Sequence, residues 1–146
     1  SCWRKGSNKM KKCLNLSLVY AIAAMAGGVF YREFTKWNGY TGVTALGKVH
    51  THLFLLGMVL FLIAALFASH TDLKEQKLFR IFLKVYNVGL PLTAVMLTVR
   101  GITQVLGLTL TSGADAAISG IAGIGHIFTG AGLILFILSL KRLAKN

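Results

Sequence analysis

Four long apolar runs, separated by short polar segments, dominate the pattern of this chain. The runs cover residues 14–31, 45–69, 81–108 and 116–140. Because the hydrocarbon core of a bilayer takes about 20 helical residues, each run is close to the length of a membrane-crossing helix or exceeds it. The pattern predicts an all-α integral membrane protein, a four-helix bundle over residues 14–140. Residues 1–13 and 141–146 are predicted to be basic tails.

The basic residues follow the same pattern and predict an orientation. Twelve of the sixteen Lys and Arg residues lie before the first run, in or beside the segment between the second and third runs, or after the fourth. Cytoplasmic loops of membrane proteins are enriched in these residues, so both termini are predicted to be cytoplasmic, in a bacterial inner membrane. The net charge of +12 does not indicate nucleic-acid binding, because the sequence contains no basic patch interleaved with aromatic residues.

Five polar side chains interrupt the apolar runs at similar depths. They are His50, His52, Arg100, Gln104 and His126. At about 1.5 Å of rise per residue, the three histidines and the arginine lie roughly 3–9 Å outward of the bilayer centre, and the glutamine lies one turn further out. A polar side chain in hydrocarbon is costly and normally faces the protein interior, a partner or water. These residues therefore mark the candidate site.

His50 and His52 are predicted to point in opposite directions. A separation of two residues on a helix corresponds to about 200° of rotation. Both imidazoles therefore cannot bind one metal from an ideal helix. The apolar stripe that continues from His52 favours His52 as the histidine that faces the bundle core.

Small residues accompany the histidine of the fourth run. Ser119, Gly123, His126 and Gly130 follow one another at spacings of four, three and four residues, which places them on one helical face. Such a face allows another helix to approach closely. It equally leaves room for a flat cofactor.

Axial ligation of haem b by His52 and His126 fits these features. It requires two imidazoles at similar depth, small neighbouring residues and a cation for the propionates. Arg100 is an expensive charge unless it has an acidic partner or an anionic ligand, so it is predicted to lie near a propionate. The predicted cofactor-binding residues are His50, His52, Gly57, Arg100, Gln104, Gly123 and His126, with His52 and His126 as the iron ligands.

Two resemblances add to this interpretation. The segment VHTHLFLLG resembles the HxHLxLLG pattern in the second helix of small relatives of the haem–copper oxidase catalytic subunit, in which a histidine binds a low-spin haem. The segments YREFTKWNGYTG, VHTHLFLLGM, GITQ and GIGHI resemble an uncharacterised family of small four-span bacterial membrane proteins. The second resemblance implies the fold and the membrane, but no activity. The chain lacks the further histidines of an oxidase copper centre, so that oxygen chemistry is not expected.

Other interpretations remain open at this stage. The histidines can be satisfied by hydrogen bonds alone, or line a proton or small-solute pathway. They can also bind copper or another transition metal, with His50, His52 and His126 as ligands and Met58 or Met96 as a candidate further ligand. A haem protein would transfer electrons or sense and handle a small gas, whereas the competing hypothesis is a non-catalytic membrane module or carrier. The expected partners are the lipid bilayer, a second copy of the chain, and a redox partner or quinol.

Overall fold

The computed structural model describes residues 2–145, with side chains from residue 10 onward, and no strand occurs among these residues. The four main helices are α1 (Cys2–Trp37), α2 (Leu46–His70), α3 (Lys77–Val105) and α4 (Ser112–Leu143), and a short 3₁₀ turn covers Leu73–Glu75. All four helices are long and apolar enough to cross a membrane. The predicted all-helical architecture is confirmed at this level.

The helices extend beyond the apolar runs that predicted them. Helix α1 reaches Trp37 and ends before Gly39, whose φ of +59° lies in the left-handed region that favours glycine. It also begins at Cys2, so most of the predicted N-terminal tail is helical. Hydropathy marks only the apolar part of a helix, whereas polar residues continue the same backbone until a residue interrupts it.

Helix α2 contains a π-helical segment, Leu53–Val59, directly after His52. Two neighbouring helices donate hydrogen bonds to its backbone carbonyls. The Tyr86 hydroxyl donates to Leu56 O at 2.6 Å, and the Ser17 hydroxyl donates to Met58 O at 2.9 Å. These side chains satisfy carbonyl groups at an irregular part of an apolar helix, which would otherwise be costly.

Helices α1 and α2 pack as an antiparallel pair through small residues. A Cβ placed on Gly57 would lie 2.5 Å from the Cβ of Tyr20, so only glycine allows this approach. Further along the pair, a Cβ on Gly27 would lie 3.3 Å from a methyl group of Val49, a tight contact that a small shift would relieve. Contacts between early positions of α1 and late positions of α2, and the reverse, establish that the two helices run in opposite directions.

Helices α3 and α4 form a second antiparallel pair, and glycines again define the contact. A Cβ on Gly125 would lie 2.7 Å from the hydroxyl of Thr93, and one on Gly132 would lie 2.8 Å from Tyr86. Near the chain termini, aromatic rings fill the space between α2, α3 and α4. This cluster comprises Phe61, Phe79, Phe82, Tyr86 and Phe136.

The end of the bundle that contains the 71–76 connection and the C-terminus is called the basic end below. At the opposite end, hydrogen bonds connect the start of α2 to the end of α3. The Thr44 hydroxyl donates to Gly101 O at 3.1 Å. The side-chain oxygen of Gln104 accepts the backbone N–H of Ala45 at 2.8 Å. This bond satisfies an N–H group at the first turn of α2, which has no partner within its own helix.

Candidate functional site

The structure brings together the imidazole rings of His52 on α2 and His126 on α4. Their ring centroids lie 6.5 Å apart and their planes are at 88°. Two imidazoles on opposite sides of one metal ion have centroids about 6.2 Å apart, from metal–nitrogen bonds of about 2.0 Å and a ring radius of roughly 1.1 Å on each side. The observed separation is therefore close to that of a coordinated pair.

Both rings are held by the same local hydrogen bond. His52 Nδ1 lies 2.8 Å from Lys48 O, and His126 Nδ1 lies 2.8 Å from Ala122 O, in each case the carbonyl one turn earlier. A carbonyl oxygen can only accept, so Nδ1 must carry the proton. In the neutral imidazole, Nε2 then has a free lone pair. This tautomer is the one that prepares Nε2 to bind a metal.

The face of α4 around His126 is open. A Cβ added to Gly120, Gly123 or Gly130 would meet no atom within 4 Å, beyond the helix's own backbone. These glycines therefore do not serve close helix packing within the chain. They leave open space on the side of α4 that carries His126.

Arg100 lies at one end of the same face, but it already has a protein partner. Its Nη1 donates to the carboxylate of Asp115, and its Nη2 donates to the Ser119 hydroxyl at 2.8 Å. Ser119 precedes His126 by seven residues, or about 10 Å along the helix. Sequence reasoning left an acidic partner or an anionic ligand open, and the structure provides the acid. A longer bond joins Nη2 to Asp115 O. The guanidinium has five N–H groups, so two remain available after these three bonds.

His50 points away from the His52–His126 pair, towards α1. Its ring lies 6.3 Å from that of Tyr31, nearly parallel to it, and a Cβ on Gly28 would lie 3.6 Å from the imidazole. Its Nδ1 is buried without a hydrogen-bond partner among the described residues. The two neighbouring histidines thus face different helices, in agreement with the 200° argument.

Two other predicted cofactor-binding residues have structural roles. The space beside Gly57 is filled by Tyr20, so this glycine serves the contact between α1 and α2 and leaves no room for a cofactor. Gln104 accepts the Ala45 N–H at the start of α2. The expectation for Gly57 is corrected by this packing. Gln104 is exposed and uses only its side-chain oxygen in this bond, so its role at a cofactor stays a prediction.

The ligand set is limited to the two facing histidines. Among residues 10–145, whose side chains the structure describes, no group of three or more His, Cys, Asp or Glu lies close enough to hold a metal ion. The copper set with all three histidines is therefore not assembled within one chain. A tetrahedral zinc site would also require more protein ligands than this arrangement offers.

Comparison with known proteins gives a family. Residues 10–143 match the family described as protein of unknown function (DUF2871). The chain belongs to this family. No curated protein and no solved structure matches the chain. The resemblance to the uncharacterised four-span family therefore gains support from the DUF2871 match, whereas the resemblance to haem–copper oxidase relatives gains none.

In this DUF2871 chain, the partners of Arg100 are the main site residues that the sequence alone did not assign. Asp115 lies just before the fourth apolar run, and Ser119 was recognised only as a small residue. Their spacing of four places both on one helical face, next to the end of α3. That spacing, together with the short connection between α3 and α4, is the feature of the sequence that could have identified these partners.

Proposed function

We propose that the protein is a b-type haem protein of the bacterial inner membrane that transfers electrons. In this proposal its four helices cross the bilayer with both termini in the cytoplasm, and His52 and His126 are the axial ligands. The observation that carries the proposal is the approach of these two rings from different helices, 6.5 Å apart and each with Nδ1 bonded to a backbone carbonyl, which leaves Nε2 as the nitrogen for a metal.

Haem is favoured over a bare metal ion because of the number of protein ligands. The porphyrin supplies four nitrogen ligands, so the protein has to supply only one or two. A bare transition-metal ion usually needs three or four protein ligands, and the described residues offer no such group. Two facing histidines beside an open glycine face suit the first requirement and not the second.

Charged residues near one end of the site suit the carboxylates of a haem. Arg100 bonds to Ser119, which lies two helical turns from His126 on α4, and two of its N–H groups remain available. Lys48 is exposed one turn before His52, and the described residues give it no ion pair. A haem that lies between the histidines would direct its propionates towards these cations.

Electron transfer is favoured over gas binding by the number of histidines. When both axial positions of a haem are taken by protein ligands, no position is open for a diatomic ligand. A role in gas handling would require His52 or His126 to dissociate first. An electron carrier in the bilayer also requires a redox partner, for which a quinol is the lipid-soluble candidate.

The direct test is the visible spectrum of the full-length protein purified from haem-replete cells. The proposal predicts a Soret band and about one haem per chain by the pyridine haemochrome assay. Protein that is folded by circular dichroism, comes from such cells and lacks a Soret band would overturn the proposal.

A polar-lined carrier is the second candidate, and one observation favours it. A cavity of about 440 Å³ lies beside Arg100 and is lined partly by Thr103, Gln104 and Asp115. This hypothesis predicts no chromophore and a water-filled recess. Labelling of Thr103→Cys by a membrane-impermeant maleimide, in protein without a Soret band, would favour it over the haem protein.

A further inference from the structure

A second groove lies between α1 and α3, towards the basic end and away from the two facing histidines. It has a volume of about 480 Å³. Helix α1 contributes Lys12, Leu16 and Val19, and helix α3 contributes Arg80, Leu83 and Lys84. From this groove we infer a binding site for an anionic phospholipid, with the phosphate at the three cations and an acyl chain along the apolar walls.

The spacing of the residues explains why the groove is charged at one end only. Lys12, Leu16 and Val19 recur at intervals of four and three residues, so they share one face of α1. Arg80, Lys84 and Asn87 recur in the same way on α3. The α1 face therefore passes from Lys12 to apolar residues, whereas the α3 face passes from two basic residues to the uncharged Asn87 as it enters the bundle.

The groove is closed at depth by a hydrogen bond between the two helices. The Tyr20 hydroxyl donates to Asn87 Oδ1 at 2.7 Å, and Asn87 Nδ2 donates to Leu83 O at 2.7 Å. From Lys12 to Tyr20 the distance along the helix is about 12 Å. The groove is thus deep enough for part of an acyl chain. The polar side chains at its floor already have hydrogen-bond partners, so a lipid need not supply a polar group there.

The positive charge at the open end of the groove favours an anionic ligand. Lys12, Arg80 and Lys84 are exposed, and no ion pair to them occurs among the described residues. The Arg80 guanidinium donates to the backbone carbonyl of Glu75 at 3.2 Å, a bond that orients it without neutralising it. Basic pockets between membrane helices, near the headgroup level, are typical sites for anionic lipid headgroups.

This inference rests on the proposal that the helices cross a membrane, but not on the proposed haem. Carbonate washing of membranes distinguishes a failure of membrane insertion from a failure of the lipid site. Wild-type protein that is released by the wash would contradict membrane insertion itself. Retention in the membrane fraction followed by failure of the lipid test below would contradict the lipid site alone.

The test compares retention of phosphatidylglycerol by native mass spectrometry, with phosphatidylcholine as the neutral lipid. The wild-type protein is expected to retain phosphatidylglycerol in preference to phosphatidylcholine. Each basic residue near an anionic surface contributes roughly a fivefold preference, so the variant K12Q/R80Q/K84Q should lose at least about tenfold in retention. The control K141Q/R142Q/K145Q removes the same charge at the C-terminus and should keep the wild-type preference. Equal losses in the two variants would overturn the site, because general charge attraction would then explain the binding.

A second variant tests the apolar wall without changing any charge. Val19→Trp fills the groove from an exposed position, and Leu18→Trp is its control, equally exposed but about 100° away around α1 and outside the groove lining. The first variant should lower retention of phosphatidylglycerol severalfold and the second should not. Unchanged retention in Val19→Trp would show that the cations bind lipid at an open surface, and the groove would be excluded as the site.

Discussion

The imidazoles of His52 and His126 approach each other with their planes at 88°, and each is fixed by a bond from Nδ1 to the carbonyl one turn earlier. This contact joins the two helix pairs of the protein, because α2 packs mainly on α1 and α4 packs mainly on α3. Two rings held in the same tautomer, at the separation of a shared metal, form the centre of the proposed haem site.

The open face of α4 should be sensitive to bulk near His126. Gly123→Leu places a side chain in space that is free of protein atoms, so the fold should tolerate it while the haem content falls severalfold. Haem per chain by the pyridine haemochrome assay and the melting temperature together check this. Gly113→Leu, another open glycine at the start of α4, is the control and should keep its haem. Full haem occupancy in Gly123→Leu would contradict the assignment of this face to the cofactor.

Gly57 should be needed for stability and not for space around a cofactor. In Gly57→Ala the new Cβ would lie 2.5 Å from Tyr20, and overpacking of this kind costs about 1–3 kcal/mol. Thermal or denaturant unfolding in detergent measures the loss. Gly120→Ala adds the same methyl group in open space and should be neutral or stabilising by up to about 1 kcal/mol. If the two variants were equally stable, the close contact between α1 and α2 would be excluded.

Arg100 and Asp115 should be energetically coupled. Arg100 is three-quarters covered, with 26% of its side chain exposed, whereas Asp115 is 56% exposed. A double-mutant cycle with Arg100→Gln and Asp115→Asn should give a coupling of about 1 kcal/mol. A coupling energy near zero would mean that the arginine has another partner, and a haem propionate would then be the first candidate.

The orientation of the chain is a separate prediction. Both termini should be cytoplasmic, because the Lys and Arg residues concentrate at the basic end. A C-terminal green fluorescent protein fusion should fluoresce, and a C-terminal alkaline phosphatase fusion should be inactive. Alkaline phosphatase fused after Gly39 should be active. The reverse pattern of activities would contradict the proposed sidedness.

The four helices were predictable because length and hydropathy are properties of the sequence alone. Their ends were less predictable, because polar residues extend a helix without any change in hydropathy, as between residues 32 and 37 of α1. The opposite directions of His50 and His52 also followed from helix geometry. For these two histidines, the geometry of the helical backbone alone determined the side-chain directions.

The remaining features depend on contacts between helices. The π-helical segment after His52 has no local signal, since the hydroxyls of Tyr86 and Ser17 that satisfy it come from α3 and α1. The role of Gly57 required knowledge that Tyr20 lies opposite it. The pairing of Arg100 with Asp115 likewise depends on how α3 and α4 pack, and the sequence left the choice between an acid and a ligand open.

The most direct test of the central claim is the carbon monoxide difference spectrum of the reduced protein, compared among single histidine variants. With His52 and His126 both bound to iron, the wild-type protein and His50→Ala should show a six-coordinate low-spin spectrum and little reaction with carbon monoxide. His126→Ala or His52→Ala should open one axial position and bind the gas, or lose the haem. If the spectra of both of these variants were identical to that of the wild type, these two histidines would not be the ligands.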